Sequence, residues 1–382
     1  MPAGGNAIAQ ITADSPRELV VADLSTTLFA SFARQDQRRK GGEYLRGLLR
    51  ANGRKSIRNI AHAVGGQATE QYLHHFINDS TWDWKPVRRA LGGYVRGAVA
   101  PEAWVVRPMV IPKTGKHSVG VGRRFCPDRG QTLNAQQAMG VWAASDELAV
   151  PVDWRLHLSQ SWLREVGSRS RPALPDGVRA EPETECVIEA FLATAARADF
   201  PDLPVVVEVP RIDVATVVAR LHPRTPLLVR IGGGQLLRPV DPTASRRSAE
   251  PRPAHHIMTA ARVARKPVAS RLPLLAATVP VRIADAVGRP VDLVLLGVGP
   301  ASRSWPAALW LSNRPDVDVA TLAHLARLAD RVDHDFARFA DPVGVRDFIG
   351  RSFAGWHRHV TLASAAHAVL ALTDTASVRR VG

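Results

Sequence analysis

The segment Pro204–Val209, PVVVEV, constrains this chain more than any other. It is short, continuously apolar and flanked by helical patterns, from about Glu183 to Ala198 before it and about Val214 to Leu221 after it. A strand with no polar alternation is buried on both faces, so it predicts a mixed α/β sheet covered by helices on each side.

The rest of the chain can be read around that strand. Residues 1–20 form a leader, and residues 21–100 carry apolar positions at three- and four-residue spacing, Leu24, Leu28, Phe29, Phe32 and then Tyr44, Leu45, Leu48, Leu49, which predict an all-helical domain. Strand patterns begin at Trp104 with WVVRPMVI, HSVGVGRRF, NAQQAMGVWAA and VPVDWRLHL, expected as a meander of hairpins within a first core segment, 101–235. An insertion over 236–318 opens with a stretch rich in Pro, Ser and Arg from Asp241, expected as a mobile basic loop, and continues with LLAATVPVRIA, VDLVLLGV and AALWLSN as strands. Residues 319–382 are helical, from about Val319 to Ala340 and from Phe353 to Leu372.

Charge narrows the class of partner. The 382 residues carry 50 Lys and Arg against 35 Asp and Glu, a formal charge of +15, and only six of those bases are lysine. Arginine makes forked contacts to phosphate and guanine, so the balance favours a polyanion, although a GC-rich genome also yields arginine scattered over a solvated surface. Cys126 and Cys186 are too few for a disulfide framework or a cysteine-rich zinc site and are expected as buried small apolar residues. No apolar run is long enough for a bilayer and no secretion signal is visible, so the expectation is a cytoplasmic, nucleoid-associated protein without a membrane partner.

Within the helical part, SIRNIAHAVGGQATEQYLHHFIND has the layout of a helix-turn-helix: a helix over Ser56–Val64, a turn at Gly65 and Gly66, and a second helix from about Thr69 to Asn78. In that reading Arg54, Lys55 and Arg58 meet phosphates of double-stranded DNA, while Gln67, Thr69 and Gln71 enter a major groove. An ordinary helical hairpin with a glycine turn gives the same pattern.

Four blocks, in this order and spacing, resemble the DDE transposases of the insertion-sequence seven-oh-one family, within the insertion-sequence-four-like superfamily. They are QRRKGGEYLRGLL with KSIRNIA, PKTGKHSVGVGRRFC, PVDWRLHLSQSW and GRSFAGWHRHVTLASAAHAVLAL. The resemblance spans about residues 24–372. It implies an RNase H-like core behind a helical DNA-binding region, with a strand-rich insertion before the last catalytic helix, and chemistry by three carboxylates holding two divalent metals, usually Mg²⁺.

Carried onto this chain residue by residue, that triad is degenerate. The first acid falls on Arg107 or Pro108, where neither residue is a carboxylate and Arg107 would repel a dication. The second corresponds to Glu208, followed by Pro210 and Arg211 in place of the usual Tyr-Gly, and the third to Asp333, where the family has Glu; Ala340 replaces a later lysine. Glu102 lies before the first strand and Asp128 beyond the second, so neither is placed to substitute, and Asp333 and Asp335, two apart on a helix, cannot serve together. The expectation is a domesticated transposase without catalytic residues, metal or cofactor, Mg²⁺ entering only if cleavage survives, that binds DNA as a regulator or end-binding protein and can dimerise as transposases do. Lys113, Lys116 and His117 beside the emptied site and Arg358 on the last helix join the DNA-contact set, whereas His357 and His359 point to different helix faces and are assigned to packing. Strand cleavage through Glu208 and Asp333, or a scaffold role for the basic surface, are the alternatives.

Overall fold

The computed structural model describes residues 16–381 apart from 66, 127–128, 167–173, 198–201, 241–249, 270–272 and 303; the side chains of 67–68, 165–166 and 377–381 also lie outside the described set. Five helices open it: α1 (Pro16–Leu28), α2 (Gln35–Arg50), α3 (Ile57–Val64), α4 (Gln67–Asn78) and α5 (Trp84–Val99). The Ser56 hydroxyl caps α3 by accepting from the Asn59 amide at 3.2 Å, and Asp83 does the same for α5 through Lys85 at 3.0 Å. Gly65 ends α3 at φ +148°, a conformation that L side chains rarely adopt, so the helix stops at the first glycine of the expected turn. Gly47 lets α2 and α3 approach, since a Cβ there would lie 2.4 Å from Ile60 Cγ2.

Four strands follow, β1 (Ala103–Pro112), β2 (Gly122–Cys126), β3 (Gln131–Ala144) and β4 (Ala149–Leu156). They do not form the simple meander expected. The 14-residue β3 is long enough to offer one edge to β1 over Ala135–Ala144 and the other first to β2 and then to β4. After α6 (Gln160–Val166) and α7 (Glu183–Ala195) comes β5 (Val205–Val207), wholly buried, then α8 (Val214–Leu221) and β6 (Leu227–Ile231). Strands β1, β5 and β6 are parallel neighbours. The antiparallel β4-β3-β1 block joined to parallel β5 and β6 is the sheet of an RNase H-like fold.

The late strands extend this same sheet. β7 (Leu236–Pro239) and β8 (Arg252–Pro253) precede α9 (Ala254–Ala260), a 3-10 turn over Ala261–Ala264, β9 (Lys266–Val268), β10 (Leu274–Ala284), β11 (Pro290–Pro300) and β12 (Ala308–Ser312). β12 pairs antiparallel with β6, giving a 12-stranded sheet whose path runs β2-β3-β1-β5-β6-β12-β11-β10-β7-β8. Part of the expected basic loop, 241–249, lies outside the described residues, but over 252–268 the chain is folded. Met258 of α9 is fully buried over Gly297 of β11, where a Cβ would come within 2.5 Å of the Met258 side chain, so this stretch packs as part of the core.

The chain ends in α10 (Val319–Asp335), a π-helical turn over Phe336–Ala340, and α11 (Phe353–Val381). Asp318 caps α10 through the amides of Ala320 and Thr321. Helix α10 lies against β1, β5 and β6, and α11 packs against β4 and against α1, α2, α4 and α5, so the N-terminal helices share one continuous core with the sheet. Both cysteines are buried. No described helix is long and apolar enough to cross a membrane.

Candidate active site and basic surface

The last parallel rung between β1 and β5 pairs Val106 with Val207, and the Glu208 amide donates to the Val106 carbonyl at 3.0 Å. Arg107 and Glu208 therefore stand side by side just past the carboxyl-terminal rungs of adjacent parallel strands, where open α/β sheets place their functional groups. From α10, whose Leu322, Ala323, Ala326, Ala329 and Val332 are buried, Asp330 and Asp333 project three residues apart from the opposite flank.

Arg107 joins these elements. One guanidinium nitrogen, Nη1, forms an ion pair with Asp333 Oδ1, lies 3.4 Å from Glu208 Oε2 and donates to the Ala329 carbonyl at 3.0 Å. Arg230 of β6 approaches Glu208 Oε1 at 3.5 Å and lies over the Trp310 ring. Glu208 Oε2 is buried and accepts no hydrogen bond, the 3.4 Å approach of Arg107 being a charge contact without the geometry of one. Burial pushes the Glu208 carboxyl up, against the pull of Arg107 and Arg230. Asp330 is likewise raised, first by burial and then by Asp333.

This donor set does not fit a two-metal centre. Octahedral Mg²⁺ needs about six oxygens at about 2.0–2.1 Å, and here the guanidinium of Arg107, a cation, lies against both Glu208 and Asp333. A dication about 4 Å from a guanidinium meets a repulsion of about 8 kcal/mol at an effective dielectric of about 20. Among the described residues no three or more His, Cys, Asp or Glu side chains group in a way that could hold a metal ion.

The other acids weighed from the sequence are engaged elsewhere. Asp335 is buried and accepts from the Ala149 amide at 2.7 Å, with Arg331 at 3.5 Å. Glu102, at the opposite end of β1, holds the Asp146 amide at 3.0 Å and His324 at 2.6 Å. Asp128 lies outside the described residues. Arg211 keeps a φ of +61°, so the backbone retains a conformation suited to glycine although the residue is arginine.

Around Arg107 opens a cleft of about 1230 Å³ that includes Arg54, Lys113, Arg129, Glu208, Asp333 and Asp347 in its lining. No motif singles out Asp347, yet it collects the predicted basic residues. It accepts from the Lys55 amide at 2.7 Å, lies 3.9 Å from Arg54 and acts electrostatically on Lys113. Lys113 donates to the Phe348 carbonyl at 2.5 Å, and burial with the nearby Arg54 charge lowers its pKa to about 8. Lys116 and His117 are exposed in the turn beyond it.

The structure separates the remaining candidates. Arg58 and Gln71 are exposed, on α3 and α4, and Thr69 is half-buried with its hydroxyl on the Gly65 carbonyl at 3.1 Å. The Gln67 side chain lies outside the described set. Lys55 is 7% exposed and spends its ammonium on the Ala51 carbonyl, at the end of α2. Arg358, 6% exposed, donates to the carbonyls of Trp82 at 3.1 Å and Ile77 at 3.0 Å, capping the carboxyl end of α4 from the last helix. These two are corrections: both are basic in sequence, but an unpaired carbonyl at a buried helix end claims each of them. His357 and His359 are buried with separate partners, Arg88 for one and Tyr44 with Gly344 for the other.

An RNase H-like sheet with Glu208 just past the end of β5 and Asp330 and Asp333 on a late helix has the layout of DDE nucleases and strand-transfer enzymes. The family model described as DDE superfamily endonuclease matches residues 27–275, and the chain belongs to that family. The matched stretch contains Arg107 and Glu208 and ends before Asp333. Membership implies DNA as the substrate class and Mg²⁺ as the usual cofactor of relatives. No curated protein matches the chain.

Proposed function

We propose that this protein is a transposase-derived DNA-binding protein, from the insertion-sequence seven-oh-one branch of the family, that recognises double-stranded DNA without cutting it. The observation that carries the reading is Arg107, a cation at the strand position from which a metal-bridging carboxylate would act, paired with one of the two acids that remain and in charge contact with the other. The net charge of +15 supports a polyanionic partner. The α3–α4 pair supports sequence selection, with Arg58, Thr69 and Gln71 on the groove-facing helices and Arg54, Lys113, Lys116 and His117 as backbone contacts along the cleft rim. In this reading residues 21–100 are the DNA-reading part, 101–235 and 319–382 the inherited core, and 236–318 its insertion. The working form is a nucleoid-associated homodimer acting as a regulator or end-binding protein.

Competition binding tests it. Fluorescently labelled genomic fragments selected by the protein should resist a hundredfold excess of random DNA; displacement by random DNA at the same concentration as by specific DNA would reduce the protein to a basic scaffold.

A further inference from the structure

We propose that the guanidinium of Arg107 has taken over the structural duty of a divalent cation, clasping β1, β5 and α10 together, so that the resting cleft is indifferent to Mg²⁺ and Mn²⁺. The corollary is that removing this one charge opens a divalent-cation site on Glu208 and Asp333.

Three negative or electron-rich groups from two elements converge on Arg107 of β1: Glu208 from the end of β5, Asp333 from α10, and the Ala329 carbonyl one turn earlier on α10. With Asp330 included, three carboxylates face two guanidiniums, those of Arg107 and Arg230. Without Arg107 the cluster holds an excess of negative charge around the half-buried Glu208, and such a cluster must protonate, spread apart or recruit a cation. Arginine suits the clasp because Nη1 alone reaches groups on both β5 and α10 and the guanidinium keeps its charge at any accessible pH. Arg230 cannot replace it, because Arg230 sits on β6, against Trp310, and reaches only the far oxygen of Glu208.

This inference rests on the reading of the cleft as a site without metal and not on DNA recognition, so its test is run without DNA. The thermal midpoint of the wild-type chain is measured in EDTA and in millimolar Mg²⁺ or Mn²⁺, beside Arg107→Asp, Arg107→Gln and the double variant Arg107→Asp with Asp333→Asn. The wild-type midpoint should move by less than about 1 °C between EDTA and metal, whereas Arg107→Asp should melt lower in EDTA and recover at least about 3 °C in Mn²⁺. That recovery should vanish in the double variant. If Arg107→Asp is recovered folded only when Mn²⁺ is present, the clasp is also supported; if it is insoluble with and without metal, Arg107→Gln decides by the same Mn²⁺ response. A wild-type midpoint raised by Mn²⁺ and returned to its EDTA value by Asp333→Asn would overturn the proposal, as would charge-removed variants that fold with no loss in EDTA and no response to Mn²⁺.

Discussion

Tyr44 of α2 and His359 of α11 meet across 2.8 Å, 315 residues apart in sequence and both buried. The His359 Nε2 faces the Gly344 carbonyl at 2.8 Å and must donate to it, which leaves Nδ1 as the acceptor of the Tyr44 hydroxyl. The N-terminal helices are thus fixed to the last helix of the core, and the orientation of α3 and α4 relative to the cleft is set by the fold. Replacing Tyr44 by Phe strands Nδ1 without a donor and should cost about 1–3 kcal/mol in chemical denaturation. An unchanged unfolding midpoint would mean that this hydrogen bond does not couple the two parts.

Acid should destabilise the protein through its buried histidines. Burial lowers the pKa of His359 and of His367 to about 4, so in the folded state both are neutral down to that pH. The unfolded chain binds those protons near pH 6.5, so the stabilisation is complete above about 6.5 and is lost progressively as pH falls towards 4. The expected loss is on the order of 3 kcal/mol per imidazole across that window. Urea melts at pH 7.5, 6 and 5 measure it, and His367→Gln should flatten the slope; equal stability at all three values would contradict the assignment.

Arg211 carries a backbone penalty at its left-handed φ. At φ +61° an L residue is disfavoured by about 1–2 kcal/mol, partly offset by the greater freedom of glycine in the unfolded chain. Arg211→Gly should therefore raise stability by about 0.5–1 kcal/mol in thermal or denaturant unfolding. A loss of stability would show that the arginine side chain contributes more than its backbone costs.

DNA contacts divide into two measurable kinds. Lys113→Gln and Lys116→Gln should weaken binding to all sequences alike and lower the salt slope by about one each, while Arg58→Ala or Gln71→Ala should narrow the gap between specific and random DNA. Because the Lys113 pKa stands at about 8, affinity should also fall as pH rises through 8, and Lys113→Gln should remove that dependence. Arg358→Ala, by contrast, should lower the melting temperature, since its donors are spent on the ends of α4 and its following turn.

Much of the architecture was legible because local patterns and tertiary packing agree. The continuous apolar run of β5, the end of α3 at Gly65, and the boundaries of α8 fall where their residues place them. The stretch over 252–268 folds against the expectation of a loop because its Pro and Arg content masks two inward residues, Ile257 and Met258, the second of which packs on Gly297. The sequence singled out Arg107, Glu208 and Asp333 through their places in the family pattern. It did not reveal Asp330, Arg230 or Asp347, because a bridge between strands, or between a loop and a strand end, leaves no periodic trace. Lys55 and Arg358 show the converse, in that charge read along the chain cannot tell a surface contact from a buried helix cap.

The most direct test of a DNA-binding protein that no longer cuts is footprinting on the strongest genomic sites, found by chromosome-wide binding of the tagged protein, with end-labelled DNA in EDTA and again in Mg²⁺ or Mn²⁺. Discrete protected segments, identical in every buffer and free of strand breaks, are the predicted result. Metal-dependent nicks at those sites that disappear in Asp333→Asn would contradict it and restore the acids beside Arg107 to a catalytic role.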